Sequence, residues 1–301
     1  MTGAILGGGA TTAARMRLGL ALTVLCAVGF AVLASVVRLI YAGGADAATV
    51  TLSRAGACAF LFAAVAAARG QPVLPPPGLR LWTVAIGVLW LTGTYSYVQA
   101  IGLIPIGLAA TIFYLFPLLV AAIAVAFGGE RLSALQVAAL VVGFAGVALA
   151  VGVSGGAIAP AGIAYALAAA VSLALNISLS ARVMRGAGTL TAVSGITGAW
   201  FLAMLALLPW TGASLPAGPE GWSWLAVGMV VFCVSTASFY AAITLIGPVR
   251  TATICNLEPA SAAVFAFLIL GERLGPVQVV GIVLVVGAIL LVQFGDRKPG
   301  S

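Results

Sequence analysis

The stretch Thr236–Val279 reads TASFYAAITLIGPVRTATICNLEPASAAVFAFLILGERLGPVQV. Moved back by 142 positions, so that Pro259 falls on Pro117, it lies without a gap over Thr94–Val137, TYSYVQAIGLIPIGLAATIFYLFPLLVAAIAVAFGGERLSALQV. Thr236 meets Thr94 and Ser238 meets Ser96. Ala252-Thr253-Ile254 meets Ala110-Thr111-Ile112, Leu257 meets Leu115, and Glu272-Arg273-Leu274 with Gln278 meets Glu130-Arg131-Leu132 with Gln136. Pro, Glu, Arg and Gln are scarce in this chain, so their agreement at one fixed offset marks a duplicated unit.

The composition states the medium. Of 301 residues, 63% are hydrophobic and 6% are charged, against about 45–50% and about 25% in soluble domains. So few charges cannot cover a surface in water, and the chain reads as a polytopic membrane protein. The net charge of +7 does not point to nucleic acid. The basic residues stand singly near the ends of apolar runs, where they set loop topology. There is no histidine, and the four cysteines, Cys26, Cys58, Cys233 and Cys255, fall inside apolar runs. Their spacing is not that of a zinc or disulfide framework, so they are expected to be free thiols acting as small hydrophobes. No metal or cofactor is expected.

A helix needs about 20 apolar residues to cross a bilayer. On that measure the chain predicts ten spans, near 18–40, 47–68, 80–100, 107–127, 133–153, 161–183, 190–209, 222–245, 250–270 and 275–294. The organisation is then a cytoplasmic tail (1–17), a five-helix unit (18–153), a linker (154–160), a second five-helix unit (161–295) and a short cytoplasmic tail (296–301). A signal peptide cleaved near Ala45-Asp46-Ala47 is disfavoured, because the first apolar run is too long for one. Arg15, Arg17, Arg69, Arg80, Arg131, Arg182, Arg185, Arg250, Arg297 and Lys298 share one side if both termini are cytoplasmic. Arg38, Arg54 and Arg273 are left near the other side. Five is odd, so the second unit enters from the opposite face. The expected fold is an all-α integral membrane protein of ten transmembrane helices, built as two inverted five-helix repeats around a central cavity.

Gly129-Glu130-Arg131-Leu132 with Gln136, repeated as Gly271-Glu272-Arg273-Leu274 with Gln278, resembles the EamA-type repeat of the drug/metabolite transporter superfamily. Pro117 and Pro259 fit the same pattern, and Arg54 resembles the Arg that often opens the second helix. The first helix departs from it, with Gly29-Phe30-Ala31 where relatives often carry Trp, a small residue and Asn. The resemblance implies a secondary transporter in a bacterial inner membrane, commonly an exporter of amino acids or other metabolites. A channel or a non-transporting membrane scaffold is the alternative. Implied partners are a small-molecule substrate, the lipid bilayer and protons as a candidate coupling ion. No lipid-modifying enzyme is expected, since there is no nucleophile–base pair or metal-ligand set. No phosphate-binding loop of the G-x-x-x-x-G-K-[ST] type occurs either.

Glu258 is the one carboxylate well inside a predicted helix; Asp46, Glu130, Glu220, Glu272 and Asp296 fall in or beside loops. A charge at mid-bilayer costs about 2.5–3.5 kcal/mol on insertion scales, which makes Glu258 the first candidate for proton coupling or for holding an ammonium group. A structural hydrogen bond is the competing role. Its twin position holds Phe116, and Asn256 faces Tyr114 in the same comparison. Shared residues belong to the fold and differing ones to this protein's own chemistry. Pro117 and Pro259 should kink their helices and free backbone carbonyls. Arg54 is a candidate for a substrate carboxylate, for Asp46, or for an interfacial anchor. Tyr95 and Gln99 (beside Trp90 and Tyr97), Tyr114, Asn176 and Tyr240 (beside Phe239) are candidate lining for a substrate cavity. The small residues Ala139, Gly143, Gly281 and Gly287 suit close helix packing, and the Glu-Arg steps suit helix-end contacts.

Overall fold

The computed structural model describes residues 6–104, 106–128, 132–151, 159–270 and 275–295. All regular structure among them is helical: α1 (Leu6–Ala42), α2 (Ala47–Ala68), α3 (Pro77–Leu103), α4 (Ile106–Phe113), α5 (Phe116–Gly128), α6 (Ala134–Val151), α7 (Pro160–Ala187), α8 (Thr189–Thr211), α9 (Pro219–Ile246), α10 (Pro248–Cys255), α11 (Leu257–Leu270) and α12 (Pro276–Gly295). Seven stretches among the described residues are long and apolar enough to cross a membrane, from Ala14–Ala42 to Pro219–Ile246, and Ala134–Ala150 and Pro276–Ala288 are shorter apolar helices. The outward faces carry large apolar side chains: Phe127 is 87% exposed and Trp210 79%. Lipid tolerates such a surface and water does not.

Two expectations need correction. The first helix begins at Leu6, so most of the predicted tail 1–17 is helical. The fourth and ninth spans each arrive as two helices, α4 with α5 and α10 with α11. The Glu-Arg steps at 129–131 and 271–274, Pro105, most of the linker and the tail 296–301 lie outside the described residues.

Helix starts are fixed by local chemistry. Proline occupies the first turn of α3, α7, α9 and α10, where its missing N–H costs nothing. The glutamine of the repeated motif has a capping role. Gln136 Oε1 accepts from the Ser133 N–H at 2.8 Å while Ser133 Oγ accepts from the Gln136 N–H at 3.2 Å, a reciprocal capping box at α6. At α12, Gln278 Oε1 accepts from the Gly275 N–H at 2.9 Å, and its amide reaches the Ala150 carbonyl at 3.4 Å. Asp46 caps α2 through the Thr49 N–H at 2.8 Å and binds the Ser214 N–H at 3.0 Å, tying the start of α2 to the loop after α8. Burial pushes the Asp46 carboxyl up, but the hydrogen bonds from Thr49 and Ser214 outweigh it and hold the group below the usual carboxylate range.

The packing has two-fold order. The main contacts are α1 with α9, α3 with α7, α6 with α12 and α2 with α8. Exchange the first six helices for the last six, in order. The α1–α9 contact then becomes α7–α3, and α1–α11 becomes α7–α5, while α6–α12 and α2–α8 map onto themselves. At the α6–α12 seam a Cβ on Gly146 would come within 2.8 Å of the Val285 nitrogen, and one on Gly281 would strike Ala150. Gly281 was expected at such a crossing. Gly287 was too, but a Cβ there would meet nothing within 4 Å, and Gly146 takes its place.

Candidate functional site

The site begins with two prolines. Pro117 has no N–H for the Phe113 carbonyl, and Pro259 has none for Cys255. α4 stops at Phe113 and α5 resumes at Phe116; α10 stops at Cys255 and α11 resumes at Leu257. Both breaks thus fall at one position of the repeat, Tyr114 and Asn256, and both divide a span into two shorter helices. Positive half-helix N-termini and freed carbonyls of this kind are the usual ligands in transporters with discontinuous helices.

A cavity of about 310 Å³ opens beside the breaks, walled by α1, α2, α3, α4, α5, α7, α9, α10 and α11. Its lining follows the duplication. Trp90 and Phe232, Tyr97 and Phe239, Phe113 and Cys255, and Phe116 and Glu258 all face it, and each pair is separated by the offset of 142. The cavity therefore draws its walls from matching positions of both halves. Its walls are rich in aromatic rings: Trp90 stacks on Trp200 at 5.4 Å between ring centres, Phe30 meets Phe232 at 5.6 Å, and Tyr97 meets Phe113 at 4.7 Å.

Among the described lining residues, Arg54 and Glu258 carry the charge. Glu258 sits in the first turn of α11, where the helix dipole favours an anion. The Tyr114 side chain of the other broken span lies near its carboxylate. Arg54 lies over the Phe232 ring at 5.3 Å from its centre, a cation–π contact. Its Nε and one terminal nitrogen are buried without a hydrogen-bond partner. Such donors are costly to leave unmet, so the guanidinium is poised for an acceptor. The expected Asp46 partner is engaged elsewhere, with Thr49 and Ser214.

The other sequence candidates divide. Asn176 lines the cavity; its amide donates to the Ile86 carbonyl at 3.2 Å, and Ser180 donates to its oxygen at 3.5 Å. Tyr240 stands behind the wall, fully buried, and takes the Trp90 Nε1–H at 2.7 Å. Tyr114 and Asn256 are buried in the two breaks; the Asn256 oxygen has no partner, and its amide lies against Gly143. Pro117 and Pro259 are buried just beyond them. Tyr95 is 54% exposed and takes no part in the lining, and Gln99 does not reach it. The sequence reading passed over Phe30, Phe113, Phe116 and Phe232 as lining residues. The offset was the signal: a site at Glu258 implies Phe116, and Trp90 implies Phe232.

The model of the EamA-like transporter family matches residues 17–152 and again residues 160–294, and the chain belongs to that family. It is thus a two-repeat membrane protein of a transporter family. A solved crystal structure agrees with it at a TM-score of 0.78, with 20% identity, over 94% of this chain and 99% of the other; at that identity the likeness concerns the fold alone. No curated protein matches the sequence.

Proposed function

We propose that the protein is a secondary active transporter that exports small zwitterionic metabolites, amino acids among them, by alternating access. The observation that carries this reading is the cavity itself. It is walled by helices of both copies of one unit, beside two helix interruptions, and holds one cation and one anion among aromatic rings. Arg54 would receive the substrate carboxylate and Glu258 its ammonium group, while the aromatic rings take the apolar body. Between turnovers Glu258 would bind and release a proton, which makes coupling to the proton gradient the natural energy source. The halves are read as inverted five-helix repeats (18–153 and 161–295) joined by the linker 154–160, with ten crossings of which the fourth and ninth are broken. The two-fold packing supports that reading. Both termini are assigned to the cytoplasm and the chain to a bacterial inner membrane, with transport as its work and no catalysis.

Counterflow in proteoliposomes tests this. Vesicles loaded with single amino acids are expected to release label saturably, faster under an imposed proton gradient. Flux that rises without saturation would mean a channel, and no flux with any zwitterion would remove the substrate class.

A further inference from the structure

All four cysteines are free and buried, and the fold pairs them across the two repeats. Cys58 of α2 lies with its sulfur 3.4 Å from that of Cys233 in α9. Cys26 of α1 lies near Cys255 of α10. Four thiols scattered at random in an apolar chain have no reason to meet two by two, each time with one member from either repeat. Arg54, one turn before Cys58, puts a positive charge beside the first pair, and Phe232, under that guanidinium, precedes Cys233 in the chain.

We propose that Cys58 and Cys233 form a reversible disulfide that locks the two repeats together, a redox switch on the movement between them. A disulfide needs its sulfurs about 2.05 Å apart, and they already stand at 3.4 Å. The oxidant is a small peroxide that partitions into the protein, hydrogen peroxide being the simplest. One thiol sulfur attacks a peroxide oxygen, the O–O bond breaks, and a sulfenic acid and one water result. The second thiol sulfur then displaces the hydroxyl, forming the S–S bond and a second water. The two thiol protons leave in the waters, and the electron pair passes from sulfur to oxygen. A thiol reductant reverses it by exchange. Locking α2 to α9 stops transport only if the repeats move against each other, so that consequence rests on the alternating-access reading; the crosslink itself does not.

The test uses the full chain in lipid nanodiscs, with a protease site placed in the segment joining the repeats. Cys26→Ala and Cys255→Ala are combined so that only the Cys58–Cys233 pair remains. After hydrogen peroxide and cleavage, this chain is expected to run as one band without reductant and as two bands with it, with both remaining thiols lost to alkylation. Adding C58A should give two bands throughout. Two bands after oxidation of the parent chain, with both thiols still free, would overturn the disulfide. In proteoliposomes hydrogen peroxide should abolish the flux of the chain with all four cysteines in place, reductant should restore it, and C58A alone should make the flux insensitive to peroxide. A crosslinked chain that still transports would overturn the lock. A chain that never transports would reject the transporter reading and leave the band and thiol results to decide the disulfide.

Discussion

The two broken spans, α4–α5 and α10–α11, are the same device used twice with different contents. Both are interrupted just before a proline, both lie beside one cavity, and both follow the helix that supplies its aromatic wall. Yet the first carries Phe116 and Tyr114 where the second carries Glu258 and Asn256. The break is therefore architecture, made by the missing N–H of the proline, and the carboxylate is an addition to it. The first copy is not idle: Tyr114 lies near Glu258, so the aromatic span forms part of the surroundings of the other's carboxylate.

The comparison is broken most severely by Glu258→Gln. A hydrogen bond to a charged group contributes about 1.5–3 kcal/mol, so substrate flux should fall about tenfold to a hundredfold, and its dependence on external pH should flatten. Flux of the variant at two pH values checks both; unchanged, still pH-dependent flux would remove Glu258 from the mechanism. Transposing the pair sharpens the contrast. Glu258→Phe alone should be inactive, whereas Phe116→Glu with Glu258→Phe should recover measurable flux, because both positions face the cavity. The prolines come next. Pro259→Ala restores an N–H beside the charged span and should lower flux more than Pro117→Ala does beside the aromatic one, with little change in melting temperature for either.

Smaller effects are expected at the helix starts that follow each broken span. Gln136→Ala and Gln278→Ala each remove a cap, at a cost of about 0.5–1 kcal/mol. Gln278→Ala should be the more damaging in thermal unfolding, since Gln278 also reaches Ala150 on the neighbouring helix. The smallest effect belongs to Asp46. Its folded-state pKa is depressed, so its stabilisation is present above the usual carboxylate pKa and is lost as pH falls through the depressed value. Asp46→Asn should lose a little melting temperature at neutral pH and show a shallower decline in acid than the parent.

The sequence exposed the duplication because Pro117 and Pro259, and the two glutamines, stand out against an apolar background. It also exposed the odd carboxylate, because Glu258 has a twin that lacks one. What it hid was the direction each side chain faces. In a soluble helix polar residues mark the outer face; here both lipid and protein interior are apolar, so the third span carries no such mark. Tyr95 and Ser96 are neighbours, one exposed and one buried, and nothing in the local residues tells them apart. The breaks at Tyr114 and Asn256 were foreseen as kinks only, because a proline states which hydrogen bond is lost and not how far the backbone opens. The meeting of Cys58 with Cys233 was illegible for a different reason: it depends on α2 lying beside α9, which no local pattern encodes.

The α6–α12 seam carries a consequence of its own. Gly146 and Gly281 bring backbone close to backbone there. If the halves trade roles as proposed, a seam that is its own counterpart would have nothing to turn into, and it would serve as an axle about which the other contacts exchange.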